Sequence, residues 1–282
     1  MAHAQQHYYV PHASRYSVLL SVGIFLLAFG FILKLNSISA GLFSMLGGVA
    51  AIVFVLFGWF GAVIGENASG KYQIWEDRSF RLGMIWFIFS EVMFFAAFFG
   101  VLFYYRVISV PELASFDPQF TPYPGFTADW PSSGPKGPAF QPMAAWGIPA
   151  INTLILLTSG ATLTWAHWGL FANKQKQLVL GLALTIALGL IFLFLQAHEY
   201  QEAYTKLGLT LKAGVYGGTF FILTGFHGLH VTLGTIMLIV VFLRSMKGHF
   251  SADRHFAFSA VAWYWHFVDV VWLLLFVFVY WL

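Results

Sequence analysis

Apolar residues fall in seven long unbroken runs, near Ser17–Leu35, Leu42–Ile64, Phe80–Val107, Ala150–Phe171, Leu178–Tyr200, Gly214–Leu243 and Phe256–Trp281. A helix rises ~1.5 Å per residue, so a hydrocarbon core of ~30 Å takes roughly 20 apolar residues to cross. Each run predicts one such crossing. The apolar positions are continuous, with none of the two-residue alternation of a barrel strand, so the spans are helical. The expected architecture is an all-α polytopic membrane protein of seven transmembrane helices. The polar stretches Glu66–Ser79 and Ala172–Gln177 punctuate the runs. The first of these suggests a division into a tail, 1–16, a two-helix segment, 17–66, and a five-helix segment, 67–282. No fixed-period repeat is present.

Composition agrees with a lipid-facing surface. Only 9% of residues are charged and 59% are hydrophobic, against about 25% charged in soluble domains. With no cysteine in the chain, disulfides, thiolate nucleophiles and thiolate-bound metals are excluded. The net charge of +3 is a small remainder of 14 basic and 11 acidic residues. No basic patch interleaved with aromatics points to nucleic acid. The polar stretch Met1–Tyr16 leads into the first span without a small-residue cleavage site, so that span is expected to remain.

The basic residues also predict orientation. With the N-terminus inside, the inner segments carry nine Lys and Arg (Arg15, Lys71, Arg78, Arg81, Lys174, Lys176, Arg244, Lys247, Arg254). The outer segments carry five: Lys34, Arg106, Lys136, Lys206 and Lys212. The excess favours an inner N-terminus and an outer C-terminus. The long connection 108–149 then lies outside, and it holds nine of the ten prolines, which predicts a surface loop and not another helix.

Ionisable residues inside a span need a partner, a cavity or a protonated state. Glu91 is the foremost case: it lies ten residues beyond Arg81, about 15 Å along a helix axis, within Phe87-Ile-Phe-Ser-Glu-Val-Met-Phe-Phe95. It reads either as a proton relay or reactive carboxyl, or as a neutral hydrogen bond between helices. His227 with His230, and His266 with Asp269, are i,i+3 pairs that each share a helix face. Histidines on membrane helices can ligate haem or metal, but a metal site also needs a third ligand and an open position. The alternative is packing and hydrogen bonding at helix contacts, with His266 and Asp269 satisfying each other. Gly61-x-x-x-Gly65, Gly214-x-x-x-Gly218 and the run Thr158–Thr164 fit the small-residue pattern of close helix approach. Near the inner interface Trp59, Arg81, Arg244, Lys247 and His249 read either as an anionic headgroup site or as an interfacial belt. Walker, dinucleotide, HExxH and nucleophile-elbow motifs are missing.

Further along, Gly214-Val-Tyr-Gly-Gly-Thr-Phe-Phe221 runs into Thr224-Gly-Phe-His-Gly-Leu-His-Val231, and Ala262-Trp-Tyr-Trp-His-Phe-Val-Asp-Val-Val-Trp272 follows. With Gly83-Met, Phe89-Ser-Glu-Val-Met-Phe-Phe95, Asn152-Thr153, Ser159-Gly160, Thr164-Trp-Ala-His167 and Leu195-Gln-Ala-His-Glu-Tyr200, these closely resemble subunit III of cytochrome c oxidase, in order from Trp59 to the C-terminus. The resemblance implies seven helices grouped as two and five around a V-shaped cleft that holds phospholipid. It implies no haem or copper in this chain, those centres belonging to subunits I and II. It also implies a role in stabilising subunit I, its main contact, and in sustaining proton uptake, with cytochrome c met only through the complex.

Glu91 matches the family's carbodiimide-reactive membrane carboxyl. Arg244, Lys247 and His249 match positions close to a cleft lipid, and Trp59 and Glu66 of the second helix are further lipid-binding candidates. The charges that the family often carries after the tryptophan are replaced by Phe60-Gly-Ala-Val-Ile-Gly-Glu66, leaving Arg81 as their substitute. The family's double histidine is His167-Trp168 here. The long proline-rich loop is typical of bacterial versions, implying a bacterial inner membrane. The competing readings are the equivalent subunit of a quinol oxidase, a haem-binding membrane cytochrome, and a proton channel built on Glu91 and Asp269.

Overall fold

In a computed structural model, residues 9–10, 13–115 and 123–282 are described. Most of the tail 1–16, and 116–122 of the long connection, lie outside the described residues. Among the described residues seven helices are long and apolar enough to cross a membrane, and there is no strand. They comprise α1 (Tyr16–Leu35), α2 (Ala40–Ala68) and α3 (Ile74–Phe103), the last continuing through a π-helical turn, Tyr104–Ser109, into α4 (Val110–Ser115). After the loop come α5 (Ile148–Phe171), α6 (Gln175–Thr205), α7 (Gly214–Met246) and α8 (Phe256–Leu275), which ends in a second π-helical turn, Phe276–Trp281.

The third span is longer than its apolar run at both ends. Glu76 and Asp77 occupy the first turn of α3, where acidic side chains complement the positive end of the helix dipole. At the other end the helix passes Pro111 and reaches Ser115, so residues 108–115, expected in the loop, are helical. Proline lacks the N–H that an α-helical interior requires. The π-helical turn directly before it shifts the hydrogen-bond register, and Pro111 enters α4 in its first turn.

Four helices stop in the same way, through a residue in the left-handed region that lets its own amide and the next one bond back to the last turn. Ser37 (φ 60°), Gly70 (φ 73°), Asn173 (φ 53°) and Gly248 (φ 69°) end α1, α2, α5 and α7. In α5, Lys174 N donates to Gly169 O at 2.8 Å and Asn173 N to Leu170 O at 3.1 Å. These caps close the short turns of the α1–α2 and α5–α6 hairpins.

The chain packs as two compact units, 1–80 and 81–282, divided within α3. In the first, α1 and α2 form an antiparallel hairpin whose backbones meet at glycines. A Cβ on Gly30 would lie 2.6 Å from Met45 N, and one on Gly48 would lie 2.6 Å from Leu27 N. The unit reaches beyond the two-helix segment 17–66 because Tyr9 and Glu66 are tied to Tyr72 and Glu76. Tyr72 Oη donates to Glu66 Oε2 at 2.6 Å, and Tyr9 N donates to Glu76 Oε1 at 2.6 Å.

In the second unit the fully buried Trp265 of α8 is the centre of packing. Its indole N–H donates to Ser159 Oγ of α5 at 2.9 Å. Its ring fits against Gly189 of α6 and Gly234 of α7, where Cβ atoms would come within 2.8 and 2.9 Å of it. Trp272 repeats the contact two turns on, donating to Thr153 Oγ1 at 2.9 Å. The described part of the long loop is pinned to the start of α7. Tyr216 N donates to Ser132 O at 3.1 Å, and the Phe140 ring stacks on Tyr216 at 5.4 Å. Gly214 (φ 74°) has no room for a side chain there, since a Cβ would sit 1.8 Å from Ser133 O.

Candidate functional site

Glu91 on α3 meets His230 on α7. Glu91 Oε2 lies 2.7 Å from His230 Nε2, while His230 Nδ1 lies 2.6 Å from the carbonyl oxygen of Phe226. A carbonyl only accepts, so Nδ1 carries a hydrogen. The 2.7 Å contact therefore holds a single proton, on either the carboxyl or Nε2. The pair is neutral overall in both cases, a form that a membrane interior tolerates. The imidazole is walled by Phe94, Phe95 and Tyr264, with ring centroids 6.0, 5.0 and 6.2 Å away. The carboxylate side chain is 21% exposed against 10% for the imidazole, so a reagent dissolved in the membrane reaches Glu91 first.

His227 and His230 share a face of α7 but serve different neighbours. His227 is buried and donates from Nε2 to Val268 O of α8 at 3.2 Å. Its ring packs on Phe192 and Trp272 at 5.7 and 5.1 Å. His266 and Asp269 are drawn together only loosely. Nδ1 and Oδ2 are 3.7 Å apart, within reach for charge attraction but beyond a hydrogen bond. Asp269 Oδ1 has no partner in the protein. Gly160 of α5 makes room for this carboxylate, since a Cβ there would lie 2.6 Å from Oδ2. Among the described residues no three His, Asp or Glu side chains converge as metal ligands.

Of the small-residue pairs, Gly61, Gly65 and Gly218 have nothing within 4 Å of a Cβ position. They do not bring helix backbones together within the described residues; Gly23, Gly30, Gly41 and Gly48 do so instead.

The headgroup candidates divide between the two units. In the first, the Trp59 ring stacks on Tyr16 at 6.3 Å. Glu66 is already engaged, accepting from Tyr72 and, at 3.3 Å, from Tyr9 Oη. Burial, reinforced by the Glu66 carboxylate, pushes the Tyr72 hydroxyl well above the usual phenol range. In the second unit, Arg81 lies over the rings of Phe256 and Trp263 at 5.8 and 5.9 Å. Arg244, Lys247 and His249 are gathered at the capped end of α7. His249 N donates to Arg244 O at 3.1 Å, the Arg244 guanidinium covers Phe250 at 4.6 Å, and Lys247 and His249 are exposed. The result is a basic cluster with an aromatic floor at a helix C-terminus, suited to an anionic group.

One buried polar group was not singled out by spacing. Tyr280 Oη donates to Glu199 Oε1 at 2.6 Å, and both residues are buried. The signal was the i,i+3 placement of Gln196 and Glu199 directly after the apolar run 186–195.

The sequence model of the family described as cytochrome c oxidase subunit III matches residues 6–282. Cytochrome c oxidase subunit 3 of Hippopotamus amphibius is 43% identical over 235 residues, covering 83% of this chain and 82% of its own length. The protein of the same name from Equus caballus is 38% identical over 282 residues, 100% of this chain and 99% of its own. That of Marchantia polymorpha is 40% identical over 283 residues, 100% of this chain and 98% of its own.

Proposed function

The chain belongs to the cytochrome c oxidase subunit III family, and from that premise we propose that it works as the non-redox subunit III of a terminal respiratory oxidase. In this reading subunits I and II carry haem and copper, oxidise cytochrome c, reduce O2 to water and pump protons. This multi-pass chain stabilises subunit I, sustains its proton uptake and holds structural phospholipid. The observation that carries the reading is the commitment of the α7 histidines to the protein itself: His227 to Val268 O and His230 to Glu91. Side chains so engaged support packing in preference to holding electrons. The relatives are cytochrome c oxidase subunits, which favours cytochrome c over a quinol as donor.

Within this proposal Glu91 is the carbodiimide-reactive carboxyl. The Arg244, Lys247 and His249 cluster is the headgroup site, with Trp59, Glu66 and Arg81 as further lipid contacts. The chain resides in a bacterial plasma membrane with its N-terminus cytoplasmic and C-terminus periplasmic. The optical spectrum of the chain, stripped from its complex under stringent conditions, tests the redox assignment. No Soret band is expected, and a band that stays with the chain would overturn the proposal. In the intact complex, Glu91→Ala is expected to leave proton pumping in place. Pumping that vanishes while electron transfer continues would make Glu91 part of an obligatory path.

A further inference from the structure

Polar side chains that make no headgroup or Glu91 contact are buried inside the second unit, near the start of α5 and the end of α6. Asn152 and Glu199 are 0% exposed and Gln196 is 5% exposed. Gln196 neighbours the Tyr280 hydroxyl, yet five atoms of the group have no partner within hydrogen-bond distance: Nδ2 and Oδ1 of Asn152, Nε2 and Oε1 of Gln196, and Oε2 of Glu199. The remaining carboxyl oxygen, Oε1, accepts from Tyr280 Oη at 2.6 Å.

Helix register brings these residues to one level. α5 and α6 run antiparallel, with the Thr162 and Thr185 hydroxyls 2.8 Å apart. Gly181 abuts Ala166 and Gly169 abuts Leu178, where added Cβ atoms would approach to 2.7 and 2.9 Å. Each step toward the start of α5 is thus matched by one step along α6. Continuing that register sets Asn152 opposite Leu195, next to Gln196 and one turn from Glu199. Aromatic contacts close the group on the α8 side. Trp272, bonded to Thr153, meets Phe192 at 4.8 Å and Tyr280 at 5.8 Å.

The chemistry of the orphaned atoms selects the ligand. Two are amide nitrogens that only donate and three are oxygens that accept. Flipping either amide leaves that inventory unchanged. A metal cation would satisfy the oxygens alone and leave both NH2 groups buried and unpaired. Water both donates and accepts, and a buried water makes about three hydrogen bonds. We propose that Asn152, Gln196 and Glu199 form an internal hydration site of about two ordered waters, which bridges α5, α6 and the Tyr280 turn. The site lies apart from the basic cluster on α7 and does not depend on it.

A cryo-EM map of the intact oxidase, at a resolution that shows ordered water, tests this directly. Density peaks are expected ~2.8 Å from an amide nitrogen and from a carboxyl or amide oxygen alike. A lone peak ~2.3–2.6 Å from oxygens only would be a cation and would overturn the proposal. So would amides bonded directly to one another with no peak among them.

Discussion

His230 decides where the proton beside Glu91 resides. Phe226 O holds the Nδ1 hydrogen, so Nε2 engages Glu91 Oε2, and removing the ring frees that oxygen to add to a carbodiimide. His230→Phe is therefore expected to speed carbodiimide labelling of Glu91 several-fold, measured by mass spectrometry of the labelled peptide. Slower labelling would contradict the shared-proton geometry. A second prediction concerns Tyr72, whose hydroxyl bond to Glu66 helps hold the start of α3 against the end of α2. Tyr72→Phe is expected to lower stability by about 1 kcal/mol, read from thermal denaturation of the purified complex. The sequence made Glu91 conspicuous as a carboxyl in an apolar run, yet its partner lies 139 positions away, and no local spacing could name it. Likewise, i,i+3 spacing correctly puts His227 and His230 on one face of α7. It cannot say that residues ~60° apart around a helix turn toward α8 and α3 respectively.

The helices themselves were legible because burial in lipid leaves an unbroken apolar record, and each observed span overlaps its run. The ends were harder to read. Once a helix has nucleated, polar residues continue it beyond the apolar stretch, as at Glu76–Ser79 in α3 and Gln201–Thr205 in α6. A register shift carried α3 past Pro111 as well. The run Thr158–Thr164 does meet neighbouring helices, through Thr162 to Thr185 and Ser159 to Trp265, but close approach was misassigned at Gly61 and Gly65 for a geometric reason. Glycines seven apart on each helix of the α1–α2 hairpin, Gly23 with Gly30 and Gly41 with Gly48, line the seam, whereas the four-residue spacing at Gly61 and Gly65 draws the eye. Gly30→Leu should accordingly destabilise the hairpin by about 1–3 kcal/mol through overpacking, while Gly61→Ala should stay within about 0.5 kcal/mol of the parent. Parallel thermal melts of the two variants check this, and equal losses would refute the seam.

For the molecule as a whole, the basic cluster at the α7 terminus presents the exposed Lys247 and His249 beside Arg244. Joint replacement of Arg244, Lys247 and His249 by alanine is expected to lower the phospholipid retained per purified complex, assayed as lipid phosphorus, with haem content unchanged. The ties that extend the first unit were only partly legible, because Tyr9 bonds to Glu66 and Glu76, 57 and 67 positions away, and no local spacing names those partners. The central claim is that this chain supports redox centres held by other subunits. Gentle affinity purification of the tagged chain from its own membranes tests it most directly. Haem- and copper-bearing subunits I and II should co-purify, with all haem and copper lost from the chain once those subunits are removed. A chain recovered alone and working without them, or one that keeps iron or copper on His227, His230 or His266, would contradict the account.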